Sequence, residues 1–246
     1  MLSKNEIKDI QSLRHKKFRE EAKSFVAEGP KITGELLMQL PQQFKKLYGL
    51  KEWAEENKHL ITKVEYDIVS ETELERLSQL QTPNEVLAVL HYFESNEPAV
   101  QNELVLYLDA IQDPGNFGSI IRIADWFGIR HIICGEGCAD LYNVKVVQAS
   151  MASISRVNVF YDEELQWLNK QVVPKYAAAL DGESVYTTSK KDNGILIIGN
   201  ESKGIQSSIM KLIDQKITIP KIGEAESLNA AVATGIILSH LMKTNQ

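Results

Sequence analysis

The feature that most constrains the fold of this chain is a succession of short apolar, β-prone segments after residue 103. Segments of helical length separate them. In chain order they are ELVLYLDAI, HIICG, RVNVF, KYAAAL, GILIIGN and KITIP. Strands that are apolar on both faces and alternate with helices are typical of a mostly parallel sheet with helices on both faces. We therefore predict an α/β fold for this half, ending in a helix from Leu228 to Met242.

The first part of the chain alternates between strand and helix patterns on a smaller scale, with strands predicted at FVAE, KKLYGL, VEYDIV and VLAVLHY. Ser70, with Glu73 at capping-box spacing, predicts the start of a helix. The polar, proline-containing stretch ESNEPAVQNE follows. A chain of 246 residues can bury two cores. We therefore predict a small α/β domain at 1–95, a linker at 96–103 and a second domain at 104–246.

Composition excludes several classes of protein. Apolar residues make up 43% and charged residues 24%, as in ordinary globular domains, so wholesale disorder is not expected. No apolar run approaches the roughly 18 residues of a membrane span, and the N-terminal sequence lacks a signal-peptide core. We expect a cytoplasmic protein. Cys134 and Cys138 have no further cysteine or Cys–His cluster with which to build a zinc site, so we expect two buried thiols and no metal.

The net charge of −6 argues against nucleic-acid binding through bulk electrostatics. A local basic patch remains possible in residues 1–31, the most basic stretch of the chain. The alternative interpretation of this stretch is a solvated helix of mixed charge. The stretch has eight basic against five acidic side chains: Lys4, Lys8, Arg14, Lys16, Lys17, Arg19, Lys23 and Lys31 against Glu6, Asp9, Glu20, Glu21 and Glu28.

The first motif is DAIQDPGNFGSIIR, residues 109–122. Its DPGN grouping predicts a turn after a strand, with a helix beginning at Gly118 and Arg122 about one turn inside. Loops at the carboxyl ends of parallel strands form the ligand crevice, so Asn116 and Arg122 are expected to face it. An arginine there can hold a phosphate or a developing oxyanion. The alternative is a surface arginine on an ordinary strand–helix unit.

The second motif, GILIIGNESKGI, is an apolar strand that stops at Gly199 and runs into Asn200 and Glu201, with Gly204 close behind. Glycine permits tight turns and close backbone approach to a ligand. The spacing matches neither a P-loop nor a GxGxxG fingerprint. A plain strand exit with a helix-capping carboxylate is the alternative.

In the third motif a strand ends at Pro220, and a loop leads to Ser227, Leu228 and Asn229 before a helix rich in small residues. Ser227 is the predicted N-cap. The free N–H groups at the start of this helix can receive an anion or a carboxylate. Ordinary capping and packing would explain the same residues.

Together, the three motifs resemble the signatures of the SpoU/TrmH family of RNA ribose 2′-O-methyltransferases. The segments ADLYNVKVVQASMASISRVNVF and KFREEAKSFVAEGPKI are also similar to the family, although Gln148 and Ala152 stand where many members have arginine and glycine. The matching blocks are N-x-G-x-x-x-R at Asn116, Gly118 and Arg122, G-N-E-x-x-G at Gly199, Asn200, Glu201 and Gly204, and I-P-x₆-S-L-N at Ile219, Pro220, Ser227, Leu228 and Asn229.

The resemblance implies a catalytic domain with a deep trefoil knot, a homodimer with its active site completed near the interface, and S-adenosyl-L-methionine (AdoMet) as cofactor. It also implies RNA as partner, with rRNA expected first and tRNA second, and an N-terminal domain that holds the RNA. The implied cofactor-binding residues are Leu180, Gly199, Ile219, Leu228 and Asn229. The implied catalytic residues are Arg122 at the 2′-hydroxyl, Asn116 and Glu201 as organisers, and Ser227 and Asn229 completing the pocket.

Methyl transfer to a ribose oxygen needs two aligned substrates and a stabilised or generated alkoxide. Because the pKa of a guanidinium lies far above physiological pH and the group stays protonated, charge stabilisation by Arg122 is easier to defend than general-base catalysis. Two other classes of function are weighed against this enzyme. One is a non-catalytic RNA-binding protein that kept the fold. The other is a dinucleotide-dependent enzyme, which lacks its glycine fingerprint here.

Overall fold

The structure is a computed structural model that describes residues 2–242. The helices are α1 Lys4–Ser12, α2 Lys16–Ala22, α3 Pro30–Gln39, α4 Lys51–Glu56, α5 Lys58–Ile61, α6 Glu71–Leu77, α7 Pro114–Trp126, α8 Val144–Ser150, α9 Gln166–Lys170, α10 Ser207–Met210 and α11 Ala230–Leu241. The strands are β1 Ser24–Glu28, β2 Phe44–Gly49, β3 Tyr66–Ile68, β4 Val86–His91, β5 Leu104–Leu108, β6 His131–Cys134, β7 Asn158–Tyr161, β8 Lys175–Ser184, β9 Gly194–Ile198 and β10 Gln215–Thr218.

The chain divides into two compact units. The first unit comprises the described residues up to Glu94 together with Asp140–Ser155, and the second comprises Ser95–Ala139 and the described residues from Arg156 onwards. The linker predicted at 96–103 would place residues 140–155 in the second domain. In the structure the chain leaves the second unit after β6, forms α8 and a 3₁₀ helix (Met151–Ser155) in the first unit, and returns at β7.

The first unit is built on a four-stranded sheet of order β1-β4-β2-β3. Only the β2–β3 pair is parallel. One face packs on α1 and α6, whose Ile7, Ile10 and Leu74 join a cluster with Val26 and Leu87. The capping box of Ser70 and Glu73 opens α6, as predicted.

Segment 140–155 is fastened to the first unit by polar and aromatic contacts. Buried Arg19 pairs with Asp140, and the ring of Tyr142 stacks on Tyr92 at 3.9 Å between centroids. The side-chain amide of Gln148 donates to the carbonyl oxygen of Glu28 at 2.9 Å. The segment is therefore part of this unit's core, although it follows β6 in the chain.

The second unit contains a six-stranded sheet of order β10-β8-β9-β5-β6-β7, and every neighbouring pair is parallel. This confirms the predicted α/β fold with a parallel sheet. Trp167 of α9 and Ile209 of α10 pack on one face against Tyr107 and Ile197. On α7 and α11, which pack against each other, Phe117 and Ile237 are buried. Strand order reverses between β5 and β9, so the loops after these strands flank the switch point at which α/β proteins bind ligands.

Two helix starts differ from the prediction. Helix α7 begins at Pro114, not at Gly118, because Asp113 is its N-cap and a proline without an N–H group is tolerated at the first helical position. Helix α11 begins after Asn229, not after Ser227, because the Asn229 side chain accepts the N–H groups of the first turn. Of the two cysteines, Cys134 is buried as expected but Cys138 is partly exposed.

Candidate active site

Asn116 is positioned by the first turn of α7. Its backbone N–H donates to the Asp113 carboxylate at 2.7 Å, which closes the N-terminal cap. Its own side chain is half-buried at the carboxyl end of β5. Asn116 therefore lies on a fixed helix terminus and not in a flexible turn.

Glu201 lies in a tight turn after β9. Asn200 and Gly204 exchange backbone hydrogen bonds of 3.2 and 2.9 Å across this turn. A Cβ atom added at Gly199 would lie 2.6 Å from the carbonyl carbon of Gly204, and Gly204 itself has a φ of +66°. Only glycine fits the first position without displacing backbone, and the second favours glycine because its φ is left-handed.

Asn200 fixes this turn in two directions. Its side-chain oxygen accepts the N–H groups of Ser202 and Lys203 at 2.9 and 3.1 Å. Its side-chain nitrogen donates to the carbonyl oxygen of Ala110 at 2.9 Å, which ties the turn to the loop after β5. Asn200 belongs to the second motif but was not among the predicted site residues. The sequence signal that could have identified Asn200 is its position next to Glu201 in the G-N-E-x-x-G block.

The structure joins all three motifs through side chains. Asn229 donates from its amide to the side-chain oxygen of Asn116 at 2.7 Å, and Asn116 donates from its amide to the carboxylate of Glu201. The other end of the Asn229 side chain accepts from the N–H groups of Ala231 and Val232 at 3.0 and 3.2 Å. We call Asn116, Glu201 and Asn229 the motif triad.

Three of the predicted cofactor-binding residues lie side by side on neighbouring strands, at the same edge of the sheet. Ala177 is level with Ile197 in the β8–β9 register, so Leu180 and Gly199 follow at the same carboxyl edge. On the other side of β8, the hydroxyl of Thr218 lies 3.2 Å from the carbonyl oxygen of Leu180 and 3.4 Å from that of Ile219. The edge therefore brings together Leu180, Gly199 and Ile219.

The loop between β10 and α11 has the character of a ligand-binding surface. The apolar side chain of Leu180 is 77% exposed, and that of Leu228 is 47% exposed. No part of the described chain covers these exposed surfaces. Residues 221–228 are exposed, and their backbone N–H groups make no hydrogen bond with residues 2–242. Apolar side chains beside free backbone donors fit a cofactor that carries an adenine ring and a polar amino-acid end.

Arg122 and Ser227 are not brought into the motif triad. Arg122 lies six positions after Asn116 on α7, so its side chain points about 120° away from that of Asn116 around the helix axis. It is exposed, and it forms no hydrogen bond or ion pair with the part of the chain that the structure describes. Ser227 is likewise exposed, with no side-chain hydrogen bond within residues 2–242.

The described residues contain no group of three or more His, Cys, Asp or Glu side chains placed to hold a metal ion. Between residues 2 and 242 there is also no helix that combines the length and the apolar character needed to cross a membrane.

Two family models match successive parts of the chain. Residues 103–239 match the SpoU rRNA Methylase family, and residues 4–88 match the MRM3-like substrate binding domain. The chain is 32% identical over 242 residues to the 23S rRNA (guanosine(2553)-2′-O)-methyltransferase RlmP of Bacillus subtilis, with 96% of this chain and 95% of that protein covered.

Solved structures agree over almost the whole chain. A TrmH-family structure from Porphyromonas gingivalis is 37% identical, with a TM-score of 0.86 and 98% of each chain covered. An AdoMet-bound rRNA methyltransferase from Sinorhizobium meliloti is 27% identical, with a TM-score of 0.84, 98% of this chain and 96% of that chain covered. The chain therefore belongs to the SpoU rRNA methylase family.

Proposed function

We propose that this chain is an AdoMet-dependent RNA methyltransferase that transfers a methyl group to a ribose 2′-hydroxyl, with rRNA as its substrate. The observation that carries the proposal is the motif triad, because it links the loop ends of β5, β9 and β10 at the switch point of the sheet. The rRNA methyltransferases among its relatives support the choice of substrate. A cytoplasmic location is part of the same proposal.

The proposed cofactor surface consists of Leu180, Gly199, Ile219, Leu228 and Asn229. Bound there, AdoMet supplies an electrophilic methyl group. Leu180 and Leu228 would cover apolar parts of the cofactor, and the free N–H groups of 221–228 would donate to its polar atoms. An S-adenosyl site of this kind needs no metal.

The residues of the chain are proposed to align the ribose and to stabilise its oxygen. The carboxylate of Glu201 is oriented by Asn116 and can accept a hydrogen bond from the incoming RNA. Arg122 stabilises the negative charge that develops on the 2′-oxygen. It acts as a fixed positive charge and not as a base, because a guanidinium stays protonated at physiological pH.

A second copy of the chain is proposed to bring Arg122 to the active site. Trp126, one turn after Arg122 on α7, is 85% exposed, and Val232 on neighbouring α11 is 50% exposed. Exposed apolar side chains on two helices that pack against each other favour an interface between subunits. In a two-fold dimer through α7 and α11, Arg122 of one protomer would reach the motif triad of its partner.

The trefoil knot of the family is part of this proposal. It would place the segment after β10 through the loop after β9. Asn229 at the start of α11 donates a hydrogen bond to Asn116 at the start of α7, the first helix of the second unit. This contact is compatible with that path.

The first unit is proposed to hold the RNA. Seven of the eight basic side chains in 1–31 are exposed, while Arg19 is buried against Asp140 and is not available to a phosphate. Exposed lysines and arginines bind phosphates without reading sequence. The seven are Lys4, Lys8, Arg14, Lys16, Lys17, Lys23 and Lys31.

The decisive experiment uses the full chain, methyl-labelled AdoMet and total unmodified RNA, followed by separation of the RNA classes. Alkali-resistant label in rRNA supports the proposal, and label in tRNA moves the substrate to the second choice. Label on a base would overturn the 2′-hydroxyl assignment. AdoMet binding can be checked separately by thermal shift, since a ligand that binds only the native state raises its stability. No AdoMet binding at all would favour a non-catalytic RNA-binding protein.

A further inference from the structure

Five consecutive side chains, from the turn after α1 into the first turn of α2, are exposed: Arg14, His15, Lys16, Lys17 and Phe18. We call them the Arg14–Phe18 segment. Three of them are cations and two carry aromatic rings, and residues 10–19 contain no Asp or Glu. Cations and aromatic rings are the two kinds of group that hold single-stranded nucleic acid, the cations at its phosphates and the rings at its bases.

The fold leaves both rings at the surface. His15 is the N-cap of α2, a position at which Ser, Thr, Asp and Asn are preferred, and its side chain makes no capping hydrogen bond. Phe18 is 42% exposed, whereas Leu13, five residues earlier, is 6% exposed. The ring centroids of His15 and Phe18 lie 6.3 Å apart at an interplanar angle of 70°. The pair therefore presents an aromatic surface to solvent beside the cations.

The backbone under the segment is fixed from inside the first unit. The guanidinium of buried Arg19 donates to the carbonyl oxygens of Leu13 and Arg14 at 2.8 and 2.9 Å. The backbone N–H groups of Phe18 and Arg19 both donate to the carbonyl oxygen of His15, at 3.1 and 3.2 Å. A surface that is already ordered loses little conformational entropy when a ligand binds to it.

The charges of the segment are open to an anionic ligand. Lys16 and Lys17 lie 3.6 and 4.0 Å from the carboxylates of Glu20 and Glu21, one turn further along α2. All four side chains are more than half exposed, and surface ion pairs of this kind contribute little. A phosphate can therefore take the place of either glutamate as the partner of its lysine.

We propose that the Arg14–Phe18 segment binds an unpaired stretch of the RNA substrate, with one base stacked on the ring of Phe18. The phosphates that flank this base meet Arg14, Lys16 and Lys17. Bases inside an A-form helix are covered by their neighbours, so a stacking ring selects single-stranded RNA over duplex RNA. This inference rests on the proposed function, because it specifies how the first unit holds its RNA.

The test measures binding of the full chain to a short, unstructured RNA labelled with fluorescein, and to its duplex with the complementary strand, by fluorescence anisotropy. Phe18→Ala should weaken binding to the single strand about 5- to 150-fold, the usual effect of removing one stacking side chain. Binding to the duplex should change less than about twofold, because its bases are already stacked. The salt dependence of single-strand binding should stay the same, since no cation is removed.

Two further variants separate stacking from packing. Phe18→Leu keeps an apolar side chain at the surface of α2 but has no aromatic face, so it should lose affinity as Phe18→Ala does. Phe18→Tyr keeps the face and should retain the affinity of the wild type. Lys17→Gln should behave differently from all three, because loss of one phosphate contact lowers the slope of log Kd against log salt by roughly 0.7 for a single strand.

Tyr66→Ala is the matched control. Tyr66 is 40% exposed on β3 of the same unit and lies outside the basic stretch, so this variant should bind RNA as the wild type does. An equal loss of affinity in Tyr66→Ala would overturn the site.

Single-strand affinity within about twofold of the wild type in both Phe18→Ala and Phe18→Leu would also overturn it, and would leave the cations to an acidic protein partner. Equal losses for single-strand and duplex RNA would overturn the stacking of a base. If the wild type binds RNA but methylates none, the proposed methyl transfer fails and the binding measurements still decide the site. If it binds neither RNA, the site fails together with the proposed role of the first unit.

Discussion

The side-chain amide of Asn229 donates a hydrogen bond of 2.7 Å to the side-chain oxygen of Asn116, although 113 positions separate the two residues in the chain. This bond joins the N-termini of α7 and α11, which pack against each other. Asn229 performs two tasks with one side chain. Its oxygen caps α11, and its nitrogen holds Asn116 in the orientation that reaches Glu201.

The two tasks of Asn229 can be separated. Asn229→Asp keeps an oxygen for the helix cap but has no donor for Asn116, so we expect a free energy of unfolding within about 0.5 kcal/mol of the wild type, since Asp and Asn cap equally well. Methyl transfer should fall at least roughly tenfold, because the orientation of Asn116 is lost. Asn229→Ala should lose activity and also about 1 kcal/mol of stability. Urea unfolding and kcat/KM measure the two effects, and normal turnover by Asn229→Asp would remove Asn116 from the proposed machinery.

Arg122→Ala should lower kcat by roughly 10²–10³-fold, the usual effect of removing one oxyanion-stabilising group. AdoMet affinity should stay within a few-fold and the melting temperature should change little, because Arg122 is exposed and makes no hydrogen bond or ion pair with the rest of the described chain. Arg130→Ala is the matched control, since Arg130 is an exposed arginine of the same unit whose surface ion pair with Glu103 contributes little stability. Near-normal turnover by Arg122→Ala would overturn its assignment.

Trp126→Glu should convert the proposed dimer into a monomer, because it places a charge in the centre of an apolar interface. Light scattering coupled to size exclusion measures the mass. Val172→Glu is the control, because Val172 is 99% exposed but lies outside α7 and α11, and it should leave the dimer intact. RNA methylation should disappear with the dimer, since Arg122 would then be absent from the active site. A fully active monomer would contradict the shared site.

The repeated apolar segments were sufficient to predict the parallel sheet of the second unit, and the three motifs were sufficient to predict the family and the class of enzyme, which the comparisons confirm. Helix starts were less predictable. Asp113-Pro114-Gly115-Asn116 has the composition of a turn, and only the cap geometry shows that Pro114 is already helical. Ser227 and Asn229 are both good N-caps, and the choice between them depends on which side chain meets the N–H groups of α11.

Segment 140–155 shows why domain limits are difficult to predict from local sequence. Nothing in its pattern distinguishes it from the strand–helix units on either side. Its place in the first unit depends on partners distant in the chain, namely Arg19 for Asp140, Tyr92 for Tyr142 and Glu28 for Gln148. The glutamine at 148, a departure from the family pattern, is used for this internal contact. Deletion of residues 1–95 would remove all three partners, so surface substitutions are the better test of RNA binding by this unit.

In the first unit, Glu6 on α1 lies 2.8 Å from the ammonium of Lys46 on β2 and accepts the hydroxyl of Tyr48 at 2.8 Å. The hydrogen bond from Lys46 lowers the pKa of Glu6 below its usual 4.5. A carboxyl whose folded pKa is depressed adds stability above its unfolded pKa and loses it as the pH falls through the folded value. Docking of α1 should therefore weaken below about pH 4.5.

Glu6→Gln tests this pH dependence. Since the pair is partly exposed, its contribution near neutral pH should be about 1 kcal/mol or less. Hydrogen exchange of the α1 amides should show faster opening in the variant than in the wild type near pH 7, and the difference should be smaller at a pH below the depressed pKa of Glu6. Glu75→Gln is the control, because Glu75 is an exposed glutamate on α6. It should leave the exchange rates of the α1 amides unchanged at both pH values. A difference of equal size at both pH values would mean that Glu6 supports α1 through packing, and that its charge adds nothing.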